Sequence, residues 1–131
     1  MNIRIHHIGY LVKNLDRAAQ NFIRLGYATE KAAFHDEIRD ADLSFLVKDG
    51  YRIELVCPSP SSDLKPLLKK FGSAPYHICY ETEDLDAVAG ELMDSGYTLF
   101  KEKQSAPAIS DTAEVIFLYN SSCGIIELLH I

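Results

Sequence analysis

Two stretches, 3–12 and 76–82, are short and rich in apolar residues, the pattern of a strand. Each is followed by a segment with apolar residues at helical spacing. In the first these are Leu15, Ala18, Ala19, Phe22, Ile23 and Leu25; in the second, Leu85, Val88, Ala89, Leu92 and Met93. Asn14 and Asp84 stand just before these segments, where a short polar side chain accepts a free amide of the first turn. Gly26 and Gly96 stand just after them, where a helix ends in a left-handed residue. Three strand patterns complete each unit: 27–32, 43–47 and 51–57, then 98–103, 114–119 and 125–130. Lys48-Asp49-Gly50 reads as a hairpin turn, and 120–124 as its counterpart. The order is βαβββ, twice.

The two units are copies. A shift of 70 residues places His7-Ile8-x-Tyr10 on His77-Ile78-x-Tyr80, Leu15-Asp16 on Leu85-Asp86, and Ala19 on Ala89. It also places Gly26-Tyr27 on Gly96-Tyr97 and Lys31 on Lys101. Small insertions later, Phe45-Leu46 falls on Phe117-Leu118 and Ile53-Glu54-Leu55 on Ile126-Glu127-Leu128. A repeat of this length fixes the architecture. The expected domain organisation is a first module over 1–57, a linker with a short helix over 58–74, and a second module over 75–131. Pro58-Ser59-Pro60-Ser61-Ser62-Asp63 opens the linker, and 64–71 is its helix, ended by Gly72. The expected fold class is α+β, one structural domain in which two tandem βαβββ modules form a curved, cup-like mixed sheet with helices on the convex side.

Strand alternation assigns faces. His7 shares a face with Ile5, Gly9 and Leu11, and His77 with Cys79; Ile8, Tyr10, Ile78 and Tyr80 point the other way and suit packing under the helices. His6 points to the helix side or to solvent. Glu54 and Glu127 each point away from flanking apolar residues. One imidazole and one carboxylate are therefore repeated on the helix-free face of each module. Two such halves facing each other bring two nitrogens and two carboxylates to one point, which is a metal site. His35 and His130 have no such repeat and read as ordinary polar residues. Cys79 reads as a small packing residue on the open face.

Composition narrows the function further. The 131-residue chain, with 47% hydrophobic and 24% charged residues, suits a folded domain with a real core. A net charge of −6 speaks against a nucleic-acid partner. No apolar run approaches about 20 residues, so no membrane-spanning helix is expected. The N-terminal residues read as a strand and not as a signal peptide. Three cysteines, an odd number without CxxC spacing, point to a reduced cytoplasmic protein.

The pattern resembles the vicinal oxygen chelate superfamily, which includes glyoxalase I, methylmalonyl-CoA epimerase, extradiol dioxygenases and bleomycin-binding proteins. The resemblance spans the whole chain. It rests on His7-Ile8-Gly9 with Lys13-Asn14-Leu15-Asp16, on Ile53-Glu54-Leu55-Val56-x-Pro58, on His77-Ile78-Cys79-Tyr80-Glu81 with Asp84-Leu85, and on Ile126-Glu127-Leu128. It implies His7, Glu54, His77 and Glu127 as ligands of a divalent metal, with Ni, Co, Zn and Mn all suited to a mixed nitrogen and oxygen set. It implies metal-dependent proton transfer at carbon next to a carbonyl, with Glu127 or Glu54 as base, on an acyl-CoA or on the thiol adduct of an oxoaldehyde.

Among reactions, methylmalonyl-CoA epimerase is the first reading and glyoxalase I the second, with non-catalytic small-molecule binding as the third. Four ligands exceed the triad of an extradiol dioxygenase. Leu67-Leu68-x-Lys70-x-Gly72 adds to the epimerase likeness, and Glu37 is the nearest counterpart of a second epimerase acid. Arg39, two residues on, reads as a surface charge, with contact to an anionic substrate group as the alternative. One departure stands out: epimerases commonly carry a Gly-His-Gly-rich turn where this chain has Ala106-Pro107-Ala108-Ile109-Ser110-Asp111. Each module leaves a sheet edge open, which must pair either within a chain or across a dimer; the family resemblance implies a homodimer.

Overall fold

A computed structural model describes all residues 1–131. It is α+β, with eight strands and three helices in mixed, open sheets. The elements are β1 (Ile3–Leu11), α1 (Leu15–Arg24), β2 (Ala28–Asp36), β3 (Ala41–Lys48), β4 (Tyr51–Pro58) and α2 (Lys65–Phe71). They continue with β5 (Ala74–Thr82), α3 (Leu85–Asp94), β6 (Thr98–Ser105), β7 (Glu114–Asn120) and β8 (Gly124–His130). No helix is long and apolar enough to cross a membrane. Cys57, Cys79 and Cys123 are all free thiols, and Cys79 is fully buried among apolar neighbours.

Two compact units emerge. One is His7–Tyr76; the other joins Met1–His6 to His77–Ile131. The sequence pattern places residues 1–57 together, but the start of β1 packs within the unit of β5–β8. There Ile3 lies against the cluster of Leu85, Val88, Leu118 and Leu128, and Arg4 pairs with Glu81 at 3.0 Å.

In the unit of His7–Tyr76 the strand order is β2-β3-β4-β1. β2, β3 and β4 run antiparallel, and β1 joins β4 in parallel with Gly9 opposite Glu54. The β3–β4 hairpin turns at Asp49 and Gly50, with φ of 54° and 82°, the left-handed pair of a tight primed turn. Helix α1 starts where Asn14 Oδ1 accepts the Arg17 amide at 2.9 Å. It ends at Gly26, whose φ of +102° few other residues adopt readily. Its apolar side lies over Val12, Leu46, Ile53 and Leu55.

The other unit repeats this plan in the order β5-β8-β7-β6, with β5 parallel to β8 and Cys79 opposite Glu127. Asp84 Oδ1 caps α3 by accepting the Ala87 amide at 3.1 Å, and Gly96 ends it at φ +104°. The outer strands β2 and β6 share the same irregularities: register shifts flank Lys31 and Lys101 at equivalent places. Such bulges twist an edge away from further pairing.

One expectation about faces fails. Ile8 and Ile78 do not pack under the helices; each is 37% exposed. Helix α1 packs mainly on β2, β3 and β4, and α3 mainly on β7 and β8. Tyr10 and Tyr80, two residues along, do reach the helical clusters.

Candidate functional site

Each unit holds one buried imidazole beside one buried carboxylate. In the first, Ile53 and Leu55 point under α1, so alternation turns Glu54 to the opposite face of β4. His7, from parallel β1, presents Nε2 at 3.4 Å from Glu54 Oε1. Phe45 lies directly across from Glu54 on β3, and its ring meets His7 edge-on at 5.4 Å and 81°. In the second unit Ile126 and Leu128 point under α3 and Glu127 faces the other way. His77 Nε2 stands 3.1 Å from Glu127 Oε1, and Phe117, opposite Glu127 on β7, meets His77 at 5.5 Å and 90°. The duplication thus preserves a triad of His, Glu and Phe in three dimensions. Phe45 and Phe117 carried their signal in the repeat itself; what alternation alone did not reveal is that they set the imidazole planes.

Burial gives these pairs chemical meaning. His7, Glu54, His77 and Glu127 are 1%, 7%, 4% and 3% exposed. A carboxylate withdrawn from water this far demands a compensating positive charge. A divalent cation held by the imidazole and the carboxylate supplies one. The donor set fits a metal: neutral nitrogen and anionic oxygen suit Ni, Co, Zn or Mn.

Glu37 sits on the turn between β2 and β3 and is exposed, unlike the buried pairs. Arg39 is not the surface charge its type suggested. Its guanidinium pairs with Asp36 Oδ2 at 2.7 Å, with the two side chains 10% and 1% exposed. Asp36 Oδ1 also accepts the amides of Ile38 and Arg39 at 2.9 and 3.1 Å, folding the turn around itself. Ser62, from the linker, holds the same turn by donating to the Arg39 carbonyl at 2.9 Å. The turn that carries Glu37 is thus tied at Asp36, Ile38 and Arg39. His35 is exposed and its Nδ1 lies 2.8 Å from Asp42, and that hydrogen bond raises its pKa above the ordinary value.

In the second unit the stretch that replaces the Gly-His-Gly turn packs inward. Ala106 and Ala113 are buried with Cys79, Val115, Phe117 and Leu129, and Ile109 lies against them. Phe117 thus joins this apolar group to His77.

A family model of the Glyoxalase/Bleomycin resistance protein/Dioxygenase superfamily matches residues 6–117. The chain belongs to this superfamily. No curated protein sequence matches it. Among solved structures, a hypothetical protein, BH1468 from Bacillus halodurans C-125, superposes with a TM-score of 0.87 at 18% identity, covering 100% of this chain and 96% of the other. Methylmalonyl-CoA epimerase from Mycobacterium tuberculosis gives 0.81 at 22%, covering 96% and 86%. A single-residue variant of Streptomyces coelicolor methylmalonyl-CoA epimerase, in complex with 2-nitronate-propionyl-CoA, gives 0.79 at 25%, covering 97% and 96%. The first two likenesses establish the fold alone.

Proposed function

We propose that His7, Glu54, His77 and Glu127 together hold one divalent metal, and that the protein catalyses proton transfer at the carbon next to a thioester carbonyl. The single observation that carries this is the duplicated buried pair, His7 with Glu54 and His77 with Glu127. Two neutral nitrogens and two carboxylates balance a divalent charge and leave room for substrate oxygens in a six-fold set. The metal, when bound, supplies a Lewis acid that stabilises negative charge developing on the carbonyl oxygen.

The residues of the chain do the rest. Glu54 or Glu127, as carboxylate, takes the α-proton, and a second group in its carboxylic acid form, for which Glu37 is the candidate, delivers its own proton to the opposite face and is left as the carboxylate. Phe45 and Phe117 keep both imidazoles from turning. The apolar surroundings exclude water, so the carbanion-like species is not reprotonated at random.

The substrate class we favour is a methylmalonyl-type acyl-CoA. A relative with 25% identity is seen in complex with 2-nitronate-propionyl-CoA, and a nitronate is an anion with a planar carbon at the position where the enolate of such a thioester would form. The same reading makes the protein a cytoplasmic homodimer, a state that sedimentation at micromolar concentration checks directly.

Elemental analysis of protein purified without a chelating tag should find about one metal per chain. Protein loaded with Ni or Co should then place deuterium at the α-carbon of methylmalonyl-CoA in deuterated water. Lactoylthioester formation from methylglyoxal and glutathione, without that exchange, would replace the epimerase reading by the glyoxalase one. A chain that takes up none of Ni, Co, Zn or Mn overturns the metal centre itself.

A further inference from the structure

On the helix side of the unit His7–Tyr76 an open groove of about 370 Å³ runs between β1 and α1. That volume is within the usual range of small-molecule sites, roughly 300–1,000 Å³. Its walls are apolar, formed chiefly by Tyr10, Val12 and Phe22, with the Tyr10 and Phe22 rings edge-to-face at 5.3 Å. Lys13, Arg17 and Ser73 lie around it.

The charged groups at this groove are of one sign. The acceptors are already engaged: Asn14 Oδ1 by the Arg17 amide, and Ser73 Oγ by the Lys13 amide at 3.3 Å. The Lys13 ammonium and the Arg17 guanidinium are exposed and form no ion pair within the chain, although its net charge is −6. What remains at the groove is apolar wall and unspent positive charge.

The internal repeat supplies a control. In the second module Lys13 becomes Glu83, Arg17 becomes Ala87 and Asn21 becomes Glu91. The backbone plan is kept and the charge is inverted. A cationic lip is therefore not a requirement of the βαβββ fold. Nor is the poor cover under α1: none of its residues is buried, whereas Leu85, Val88 and Ala89 of α3 are.

We propose that this groove binds a small amphiphilic carboxylate, its apolar body against Tyr10, Val12 and Phe22 and its carboxylate between Lys13 and Arg17. The apolar body supplies burial that α1 lacks in the free protein, and the two cations fix the orientation of the acid. This inference does not rest on the metal centre or on the proposed reaction.

The probe is 4-phenylbutyrate, titrated into the full-length, isotope-labelled protein, with the backbone amides of Lys13, Arg17 and Ser73 followed by NMR. These three should shift together along one binding curve. The double variant Lys13→Glu, Arg17→Glu should weaken binding at least about tenfold without lowering the thermal midpoint, since both side chains are exposed. The neutral analogue 4-phenylbutanol should bind about tenfold more weakly to the wild type. Glu127→Gln should leave the curve unchanged. No saturable shift at these amides, equal binding of the alcohol, or shifts centred elsewhere would each overturn the proposal.

Discussion

Helices α1 and α3 begin and end alike but cover their sheets differently. Each opens on a side-chain cap, Asn14 or Asp84, and closes on a left-handed glycine. Yet α3 sinks Leu85, Val88 and Ala89 into the apolar cluster of its sheet, and α1 buries no residue fully. The faces with the His–Glu pairs show the reverse. There the His, Glu and Phe of the two modules match, with separations of 3.4 and 3.1 Å and the same aromatic edge on each imidazole. Duplication has left the helix-free face symmetric and allowed the helical face to diverge. Symmetry persists where two halves would have to do one job.

The largest effect expected from that symmetry concerns metal. If the two pairs form one centre, His7→Ala and His77→Ala should each lower metal affinity by more than about 100-fold, and by similar amounts, since losing a ligand exceeds the 10–100-fold cost of losing a supporting contact. Calorimetric titration with Ni or Co reads this. A variant of one module that keeps full affinity while the other loses it would break the symmetry.

Stability should report the asymmetry of the helices. Leu85→Ala removes a side chain that is 6% exposed and should cost about 3 kcal/mol. Its counterpart Leu15→Ala, on a half-buried residue, should cost about 1–2 kcal/mol. Denaturant midpoints of the two variants measure the difference, and equal losses would mean that α1 is packed as well as α3.

The caps provide a smaller contrast. Asn14→Ala and Asp84→Ala should each cost about 1 kcal/mol, with Asp84 slightly ahead because its charge also meets the helix dipole. High salt should narrow that gap.

The smallest effect is a pH dependence confined to one module. His35 faces Asp42 across β2 and β3, and the equivalent cross-strand pair is Ser105 with Glu114. The hydrogen bond to Asp42 raises the His35 pKa. Its stabilisation is therefore fully present below the unfolded pKa and is lost as pH rises through the raised folded value. His35→Ser should flatten that slope from about pH 6.5 upward in thermal unfolding.

Much of this was legible because the chain states its plan twice. The caps Asn14 and Asp84, the glycines and the turn at Asp49-Gly50 have local causes, and the sequence displays them. The facing of Glu54 and Glu127 follows from period two. What stayed hidden depends on distant placement. Alternation puts Ile8 and Ile78 on the helix side but does not say that the helices lie over β3 and β4 or β7 and β8. Arg39 looked like a surface charge because nothing in an irregular turn reveals that Asp36 folds back three residues to meet it. Strand pattern also assigns β1 wholly to the first module, because packing of Ile3 against Leu85 and Leu128 crosses most of the chain.

That crossing has a consequence for anyone cutting the gene in two. A split within residues 58–63 gives an N-terminal fragment that carries off Ile3 and Arg4, and a C-terminal fragment left without the residues that pack on Leu118 and pair with Glu81. Neither piece is a free-standing half of a duplicated ancestor. The C-terminal fragment should fold only when mixed with its partner, or when the first six residues are joined on after residue 131, the order a circular permutation would give.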